Sequence, residues 1–551
     1  MAAGALLGAL LAGVQLAPSM AHLQRTARHL GLTDEERLQW AFSPWRLLEL
    51  ASPGLLGEAA GTLEAPVFVA LAPSPPYTIP FADSAFLGLP VLLLALLGAR
   101  ASRLLAAAAA LLLWLALGHH GGATQALGWV PIWGTFRYAE KVLGPLSLVL
   151  ALLAAGGLDR ELARGRPARR GWLLATAAGL AAWSLLVWFE GAFEPLLGAL
   201  GHGDVAALVR RHLLDGLPFL LGGTAGLAAA LLLPIPRVAR CWLAAGTVLA
   251  GSAAALPFAL HPAPATCVGP GWLARLQADA PGPRVAVPNY HENDPSTPGA
   301  WERSWCDMAT MGMASYNALA RVDQVDTYTG LDTVRFLKVF TGLGEDRWLA
   351  YRRFGLTHVV MHPALGEAEA KVLARAVAGG REVSAPSGGR WRAFAVPHRP
   401  WASFAPGASA VPDPEGTLAR LRDLTTVGSE EVVIQAERPV PTAPGRVLSV
   451  RREPERLEVV AEADGPGLLV VNDAYWPGWE ARIDGAAAAV LAADVLVRGV
   501  PFPAGRHTMV LRYAPPELAW GQALTALGAA ACLGVLLWPR LRRRGRGAAA
   551  A

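Results

Sequence analysis

An uninterrupted apolar run reads VLGPLSLVLALLAAGGL at residues 142–158. It carries no charged side chain and approaches the roughly 20 helical residues that cross a hydrocarbon layer about 30 Å thick. Similar runs predict further membrane helices at about 1–20, 84–99, 102–118, 171–189, 216–236, 241–260 and 518–539. The sequence therefore predicts a polytopic α-helical membrane protein with about eight transmembrane helices.

The composition excludes an ordinary soluble enzyme. Of 551 residues, 53% are hydrophobic and only 17% are charged, which is too apolar for water-soluble domains. The formal net charge is +5, but the arginines form no single stripe with interleaved aromatic residues, so we expect no nucleic-acid partner. Four cysteines exclude a disulfide-dense scaffold.

Three of the predicted helices leave alternatives open. The runs 84–99 and 102–118 are short and rely on snorkelling by Arg100 and Arg103. Residues 1–20 are also compatible with a signal peptide, although no basic residue precedes the apolar run. The abrupt apolar start favours a chain that begins inside a longer membrane domain.

The predicted domains follow the change in composition along the chain. Residues 1–260 form a membrane domain of seven helices, 261–429 an α/β domain and 430–517 a β-sandwich. Residues 518–539 form the last membrane helix, and 540–551 are a basic tail.

Short strands and helices are predicted within the polar block. The strands are expected at 284–288, 356–362 and 391–396, and the helices near 332–340 and 366–377. In the sandwich, alternation places Trp479 on the same side of a strand as Ala481 and Ile483, which favours core packing over sugar stacking.

The arginines predict the orientation. With eight crossings, one face receives all the arginine clusters, and the positive-inside rule makes that face cytoplasmic. Both termini are then cytoplasmic, and 261–517 lies outside. The clusters are Arg100 and Arg103, then Arg160, Arg164, Arg166, Arg169 and Arg170, then Arg237 and Arg240, and finally Arg540 to Arg546.

Several short motifs resemble the YfhO family of bacterial membrane proteins. The membrane domain contributes VQLAP at 14–18, FSPWRLLEL at 42–50 and FRYAEK at 136–141. The outer block contributes FGLTHVV at 354–360 and YWPGW at 475–479, with PAGRH at 503–507. The order and spacing of these motifs carry the resemblance over nearly the whole chain.

The resemblance implies a GT-C-like glycosyltransferase in the bacterial cytoplasmic (inner) membrane. Such an enzyme takes a sugar from a polyprenyl-phosphate donor and attaches it to a cell-envelope acceptor on the outer face. The implied partners are the lipid bilayer, the lipid-linked sugar and that acceptor, and no metal or other cofactor is implied with certainty. Family members begin with several more helices, and the acidic residue typical of the class lies in the first outer loop of that additional part.

Carboxylates are the first candidates for catalysis, because sugar transfer needs a base to take a proton from the acceptor hydroxyl. The cluster Asp34, Glu35 and Glu36 lies in the first predicted outer loop, and Glu140 lies at the start of the fourth helix. The acidic cluster also fits a helix N-terminus, where first-turn carboxylates are favourable.

Cations are the second requirement, since the departing phosphate is an anion. Arg137, Tyr138 and Lys141 lie where the fourth helix enters the bilayer and are candidates for substrate binding. The alternative is ordinary interfacial anchoring. His119 is a further candidate, although adjacent His119 and His120 cannot both face one site on a helix.

Two other patterns carry weaker predictions. Cys267 and Cys306 both fall in the outer block, where a disulfide is permitted, with two unpaired thiols as the alternative. The segment HEND at 291–294 contains metal-ligand residue types, but a solvated turn is favoured.

Two rival functions remain open. One is a non-catalytic membrane protein whose outer domain binds envelope glycan or a partner protein. The other is a solute transporter, which usually has charged or broken segments within its helices.

Overall fold

The computed structural model describes most of the chain in two compact units. The helical unit comprises 31–266 and 291–306, and the sheet unit comprises 1–30, 267–290 and 307–551. The described residues are 2–26, 29, 32–55, 65–73, 81–82, 84–130, 137–163, 166–256, 276, 282–286, 323–324, 333–361, 367–383 and 392–548.

The helical unit contains no strand among its described residues. Its α-helices are Asp34–Leu38, Ala65–Leu71, Leu89–Ala99, Arg103–Ala116, Ala123–Leu127, Leu143–Ala163, Arg166–Trp188, Glu190–Ala199, Ala206–Leu232 and Arg237–Ala254. Short 3-10 helices lie at Pro44–Leu50, Ala139–Val142 and Gly203–Val205.

Four helices among the described residues are long and apolar enough to cross a membrane, at Ala139–Ala163, Arg170–Trp188, Gly203–Leu232 and Pro516–Leu537. They coincide with four of the eight predicted runs. Leu89–Ala99 and Arg103–Ala116 are apolar but shorter.

The other two predicted runs also fall on helices. The run 1–20 is interrupted at Ala12 and divides into Ala2–Leu11 and Gly13–Leu23. Residues 241–254 of the run 241–260 lie on the helix Arg237–Ala254, and residues 257–260 lie outside the described part of the chain. The described residues therefore combine a helical region, a sheet domain and four helices that fit a membrane protein, whereas eight crossings are not shown.

Glycines allow two apolar helices of the helical unit to touch at the backbone. A Cβ atom on Gly98 would lie 1.9 Å from the Leu153 carbonyl oxygen, and one on Gly157 would lie 1.9 Å from the Leu94 oxygen. Close approach at small residues is the usual packing mode of membrane helices. The contact at Gly98 and Gly157 holds the helix Leu89–Ala99 against the helix Leu143–Ala163.

In the sheet unit, the two ends of the chain pack together. The helix Gly13–Leu23 lies antiparallel to Pro516–Ala548, with the Val14 amide donating to Thr525 Oγ1 at 2.9 Å. Close to this pair, Arg25 forms a 3.0 Å ion pair with Glu517. Gly13–Leu23 and Pro516–Ala548 thus form an antiparallel helix pair.

The α/β half is built on a five-stranded sheet. In spatial order its strands are Asp323–Gln324, Arg284–Ala286, His358–Met361, Arg392–Ala395 and Arg381–Val383. The first three run parallel and the last two pair antiparallel. Helices lie at Val334–Gly342, Arg347–Arg353 and Glu367–Val377, so the elements predicted in this half are confirmed.

Two antiparallel-rich sheets form a sandwich. One contains Ala486–Ala488, Trp479–Ile483, Gly505–Tyr513, Arg456–Ala463 and Gly445–Glu453. The other contains, in spatial order, Ala402–Phe404, Gly467–Ala474, Val497–Phe502, Leu491–Ala493, Val432–Gln435 and Ala408–Val411. In the sequence, the helix Pro414–Thr426 connects Ala408–Val411 to Val432–Gln435.

The sandwich core lies between the two sheets. Val459 and Leu511 from one sheet pack with Val471 and Phe502 from the other, and all four are buried. Trp479 packs on this core beside Ala481 and Ile483, which confirms the predicted side of that strand. Because the six-stranded sheet begins at Ala402, the sandwich includes residues before 430.

Candidate functional site

The start of the membrane helix Ala139–Ala163 is shaped by two strained residues. Tyr138 has φ +68° and Trp40 has φ +47°, both in the left-handed region. The Glu140 amide donates to the Trp40 carbonyl at 3.1 Å and joins the two segments. Left-handed backbone costs a non-glycine residue roughly 1–2 kcal/mol, and such strain occurs preferentially at functional sites.

Three aromatic rings meet at this point. The Tyr138 ring lies 4.4 Å from Trp40 and 5.2 Å from Phe81, and Trp40 lies 5.7 Å from Phe81. Lys141 Nζ lies 4.8 Å from the centroid of Tyr138 and 5.4 Å from that of Phe81. These rings hold the ammonium group through cation–π attraction.

Arg137 approaches the same tyrosine. Its Cζ lies 4.7 Å from the Tyr138 centroid, and its Nη2 donates to Gln39 Oε1 at 3.1 Å. Its Nε is buried and has no hydrogen-bond acceptor within the described part of the chain. We call Trp40, Phe81, Arg137, Tyr138 and Lys141 the aromatic–cation cluster.

Glu36 reaches this cluster from the predicted acidic group. Its Oε1 lies 3.6 Å from Arg137 Nη1, and about one third of its side chain is exposed, at 34%. Glu36 also caps the helix Asp34–Leu38, because its Oε2 accepts from the Thr33 amide at 3.0 Å while its own amide donates to Thr33 Oγ1. The helix-N-terminus interpretation of Asp34, Glu35 and Glu36 is therefore confirmed. Glu35 is exposed to solvent.

Glu140 points into a buried ion network instead of toward an open surface. It accepts from Arg46 Nη1 at 2.7 Å and from the Ala82 amide at 3.0 Å. Arg46 is completely buried and also donates to Glu49 Oε2 at 3.0 and 2.8 Å. Because both Glu140 oxygens are occupied, this carboxylate serves to hold structure. We call Arg46, Glu49 and Glu140 the buried triad.

Burial and ion pairing act in opposite directions on the charge of Arg46. Desolvation opposes the charge on Arg46, but Glu49 and Glu140 more than offset it and raise the pKa of Arg46 above its ordinary value. Arg46 Nη2 also donates to the Ala82 carbonyl at 2.6 Å. The triad thereby ties the segment at Ala82, next to Phe81 of the aromatic–cation cluster, to the start of the membrane helix.

His119 pairs with its neighbour instead of with the cluster. The His119 and His120 rings are 4.0 Å apart. Burial lowers the pKa of His119, while burial and the His119 charge lower the pKa of His120 to about 4. No described contact joins either ring to Arg137 or Lys141. The loop nevertheless begins at Gly118, where a Cβ atom would lie 3.1 Å from that of Ala139.

An apolar groove begins a few residues beyond Ala82. Its volume is about 430 Å³, and its walls come from three helices and the segment before the first of them. Residues that line it include Phe86, Pro90, Gly223, Gly226, Thr247 and Gly251.

Sequence reasoning missed the residues that organise the site. Arg46, Glu49 and Trp40 were given no role, and Phe81 was not identified. A detectable signal was the pair of charges at Arg46 and Glu49, which are three residues apart within an otherwise apolar segment, PWRLLEL. Such spacing on a short helix brings the two side chains together.

Other predicted residues lie outside the described part of the chain. These are Cys267, Cys306 and the segment 291–294, and the side chain of Asp34 is also not described. Among the described residues, no group of three or more His, Cys, Asp or Glu side chains could hold a metal ion. Comparisons with protein-family models, with curated proteins and with solved structures found no match to this chain.

Proposed function

We propose that this chain is a membrane-embedded, GT-C-like glycosyltransferase that binds a polyprenyl-phosphate sugar at the aromatic–cation cluster. The observation that carries the proposal is the placement of two cations, Arg137 and Lys141, on one tyrosine at the start of the membrane helix Ala139–Ala163. The donated sugar goes to a cell-envelope acceptor on the outer face.

The chemistry of the donor fits this location. A polyprenyl carrier keeps its tail among lipid chains and its phosphate at headgroup depth, where a helix enters the bilayer. Cations at that depth reach the phosphate without entering the hydrocarbon layer. Arg137 Nε is an available donor within the described residues, and charge-assisted bonds to phosphate are the stronger class of hydrogen bond.

The apolar groove supports the same assignment. Its lining is mostly apolar, and a Cβ atom added at Gly222 or Gly251 would meet no atom within 4 Å, which leaves room for a flexible hydrocarbon chain. It begins at Phe86, four residues after Ala82, which the buried triad holds. A lipid tail in this groove would leave its headgroup near the aromatic–cation cluster.

Glu36 is the better candidate for the base. It is partly exposed and lies 3.6 Å from Arg137. It can therefore accept the proton of the acceptor hydroxyl close to the phosphate that Arg137 would hold. Glu140 is a positioning residue, because both of its oxygens are bonded to Arg46 and Ala82. His119 has no role in this proposal.

The proposed topology has eight crossings. The first crossing would combine Ala2–Leu11 and Gly13–Leu23, as predicted for the run 1–20. Leu89–Ala99, Arg103–Ala116 and Arg237–Ala254 would cross with help from flanking residues, beside the four longer spans. The protein would then lie in the bacterial cytoplasmic membrane, with 261–517 outside and both termini cytoplasmic.

The test replaces the two cations one at a time. Arg137→Ala and Lys141→Ala should each weaken binding of undecaprenyl phosphate in nanodiscs by about ten- to a hundredfold, because charge-assisted bonds contribute roughly 1.5–3 kcal/mol each. Sugar transfer should fall by roughly a hundredfold in Arg137→Ala, since that loss also includes any contact specific to the transition state. Binding is followed by intrinsic tryptophan fluorescence.

The matched control is Arg210→Ala. Arg210 is also partly buried and paired with two carboxylates, Glu190 and Glu194, in the same unit. The Arg210→Ala substitution should leave the binding of undecaprenyl phosphate unchanged. If Arg137→Ala and Lys141→Ala bind the carrier as tightly as the control, the segment is an interfacial anchor, and the non-catalytic function becomes the better hypothesis.

A further inference from the structure

One end of the β-sandwich carries a group of charged and aromatic side chains. At this end Trp479 pairs with Tyr513 in one sheet, and Ala474 pairs with Val497 in the other. The residues concerned belong to the sheet unit alone. They are Arg284, Asp323, Trp401, Arg452, Asp473, Trp479 and Arg498, which we call the sandwich-end cluster. Arg284 Nη1 joins the two parts of the cluster, because it donates to the Asn472 carbonyl beside Asp473 at 2.6 Å.

Two arginines of this cluster are stacked on tryptophans. Arg498 Cζ lies 3.8 Å from the Trp479 centroid, and Arg452 Cζ lies 4.6 Å from that of Trp401. A guanidinium stacked on a ring keeps its N–H groups directed outward in its own plane, where they can meet an oxyanion. The stacks therefore hold the two cations in fixed orientations.

Positive charge exceeds negative charge in the sandwich-end cluster. Asp323 bonds Arg452 at 2.7 Å and lies 3.6 Å from Arg284, while Asp473 bonds Arg498 at 3.1 Å. Three guanidinium groups thus share two carboxylates. Burial lowers the pKa of both Arg284 and Arg498, so an added anion would favour their charged forms.

Three buried polar atoms here have no hydrogen-bond partner among the described residues. They are Arg498 Nη1, Trp401 Nε1 and Asn472 Oδ1. Arg498 is 2% exposed and Asn472 is fully buried. The other Arg498 nitrogens are occupied, since Nε donates to the Ala474 carbonyl and Nη2 to Asp473. Arg498 Nη1 and Trp401 Nε1 are donors that the oxygens of a bound anion would satisfy, whereas Asn472 Oδ1 is an acceptor and is not part of the proposed contacts.

This end of the sandwich adjoins the last membrane helix. Tyr513 ends its strand, and the helix that can cross a membrane begins at Pro516. Tyr513 is the partner of Trp479, which carries the Arg498 stack. The sandwich-end cluster is therefore close to the membrane surface wherever that helix enters the bilayer.

We propose that the sandwich-end cluster binds a phosphate group. Arg452 and the unpartnered Nη1 of Arg498 would donate to its oxygens, and Trp401 Nε1 would supply a neutral donor. The phosphate could belong to an anionic lipid headgroup or to a soluble molecule, and both sources share this chemistry. The site does not depend on the proposed glycosyltransferase function, because its residues and those of the aromatic–cation cluster lie in different units.

The experiment uses the full chain in a neutral detergent. Tryptophan fluorescence and the melting temperature are followed against inorganic phosphate at constant ionic strength, and separately against phosphatidylglycerol or phosphatidylcholine added to the micelles. Arg452→Ala should raise the half-saturating concentration of phosphate or phosphatidylglycerol at least tenfold. Its side chain is 37% exposed, so the substitution leaves the core in place.

The control is Arg451→Ala on the neighbouring position of the same strand. Arg451 is 77% exposed and pairs with Glu453, and its loss should leave binding unchanged. A second variant, Arg498→Lys, keeps the charge but removes the Nη1 donor, and it should also weaken binding.

Each outcome decides the proposal. Saturable binding of inorganic phosphate that weakens in Arg452→Ala supports a soluble ligand, and binding of phosphatidylglycerol alone supports a lipid headgroup. Binding of neither anion, equal binding of phosphatidylglycerol and phosphatidylcholine, or equal binding by Arg452→Ala and Arg451→Ala would overturn it.

Discussion

Arg46 lies at the centre of a buried ion network in the helical unit. It is fully buried and bonds two carboxylates, Glu49 at 2.8 Å and Glu140 at 2.7 Å. A buried ion pair contributes little net stability compared with apolar packing, but removal of one partner leaves an uncompensated charge. Arg46 also donates to the Ala82 carbonyl. Its loss should therefore affect both stability and the shape of the candidate site.

We expect Arg46→Met to lower the free energy of unfolding in detergent by about 3–5 kcal/mol, because Glu49 and Glu140 would remain buried without a cation. Adding Glu49→Gln and Glu140→Gln should recover part of that loss by removing the stranded charges. Arg210→Met breaks pairs with Glu190 and Glu194, which are both partly exposed to solvent, so it should cost about 1 kcal/mol or less. Denaturant unfolding followed by circular dichroism measures all three. An Arg46→Met variant as stable as Arg210→Met would show that the triad is not structurally important.

Among the elements, the pair Leu89–Ala99 and Leu143–Ala163 controls the position of the candidate site. The second helix continues directly from the 3-10 turn Ala139–Val142, which carries Glu140 and Lys141. The first helix follows the segment Phe86–Gly88. In this segment the amides of Leu87 and Gly88 both donate to the Leu50 carbonyl. The contact at Gly98 and Gly157 sets the distance between these two helices.

Two adjacent glycines allow a matched test of that contact. Gly157→Val should destabilise the helical unit by about 1–3 kcal/mol or more, since overpacking forces the backbones apart. Gly156→Val places the same side chain where no atom lies within 4 Å of the added Cβ, and it should have little effect. Thermal unfolding in detergent and carrier binding are measured for both variants. Equal melting temperatures for the two would contradict the close contact.

At the scale of the whole molecule, the distribution of arginines predicts the topology. The described part of the chain contains four helices long and apolar enough to cross a membrane, and the remaining crossings rest on the proposed topology. Only a placement of 261–517 outside the cytoplasm puts all the arginine clusters inside. The proposed sugar transfer requires that orientation, because the aromatic–cation cluster would otherwise face the cytoplasm.

Reporter fusions at two positions test the orientation. Alkaline phosphatase fused after Gly407 should be active, and the same reporter fused after Arg166 should be inactive. The reason is that alkaline phosphatase folds into its active form only outside the cytoplasm. A green fluorescent reporter should show the opposite pattern. Phosphatase activity at Arg166 with none at Gly407 would reverse the topology and exclude chemistry on the outer face.

Features that depend on neighbours in the sequence could be predicted without the fold. Uninterrupted apolar runs located the four helices that are long and apolar enough to cross a membrane, because such a span needs about 20 consecutive, mostly apolar residues. Alternation placed Trp479 with Ala481 and Ile483 on the core side of a strand. The capping interaction of Thr33 and Glu36 also follows from local spacing.

Features that depend on residues far apart in the chain could not be predicted from the sequence. Arg46 and Glu140 are separated by 94 positions, and no local pattern indicates that they share a buried bond. The same reason explains why Glu140 was a candidate catalytic base in the sequence but forms a buried bond with Arg46 in the fold. Trp40, Phe81 and Tyr138 likewise meet only after their segments pack. A charged side chain reveals its chemistry in the sequence, but its partner and its exposure are decided by tertiary packing, because Coulomb and desolvation energies depend on distances in space.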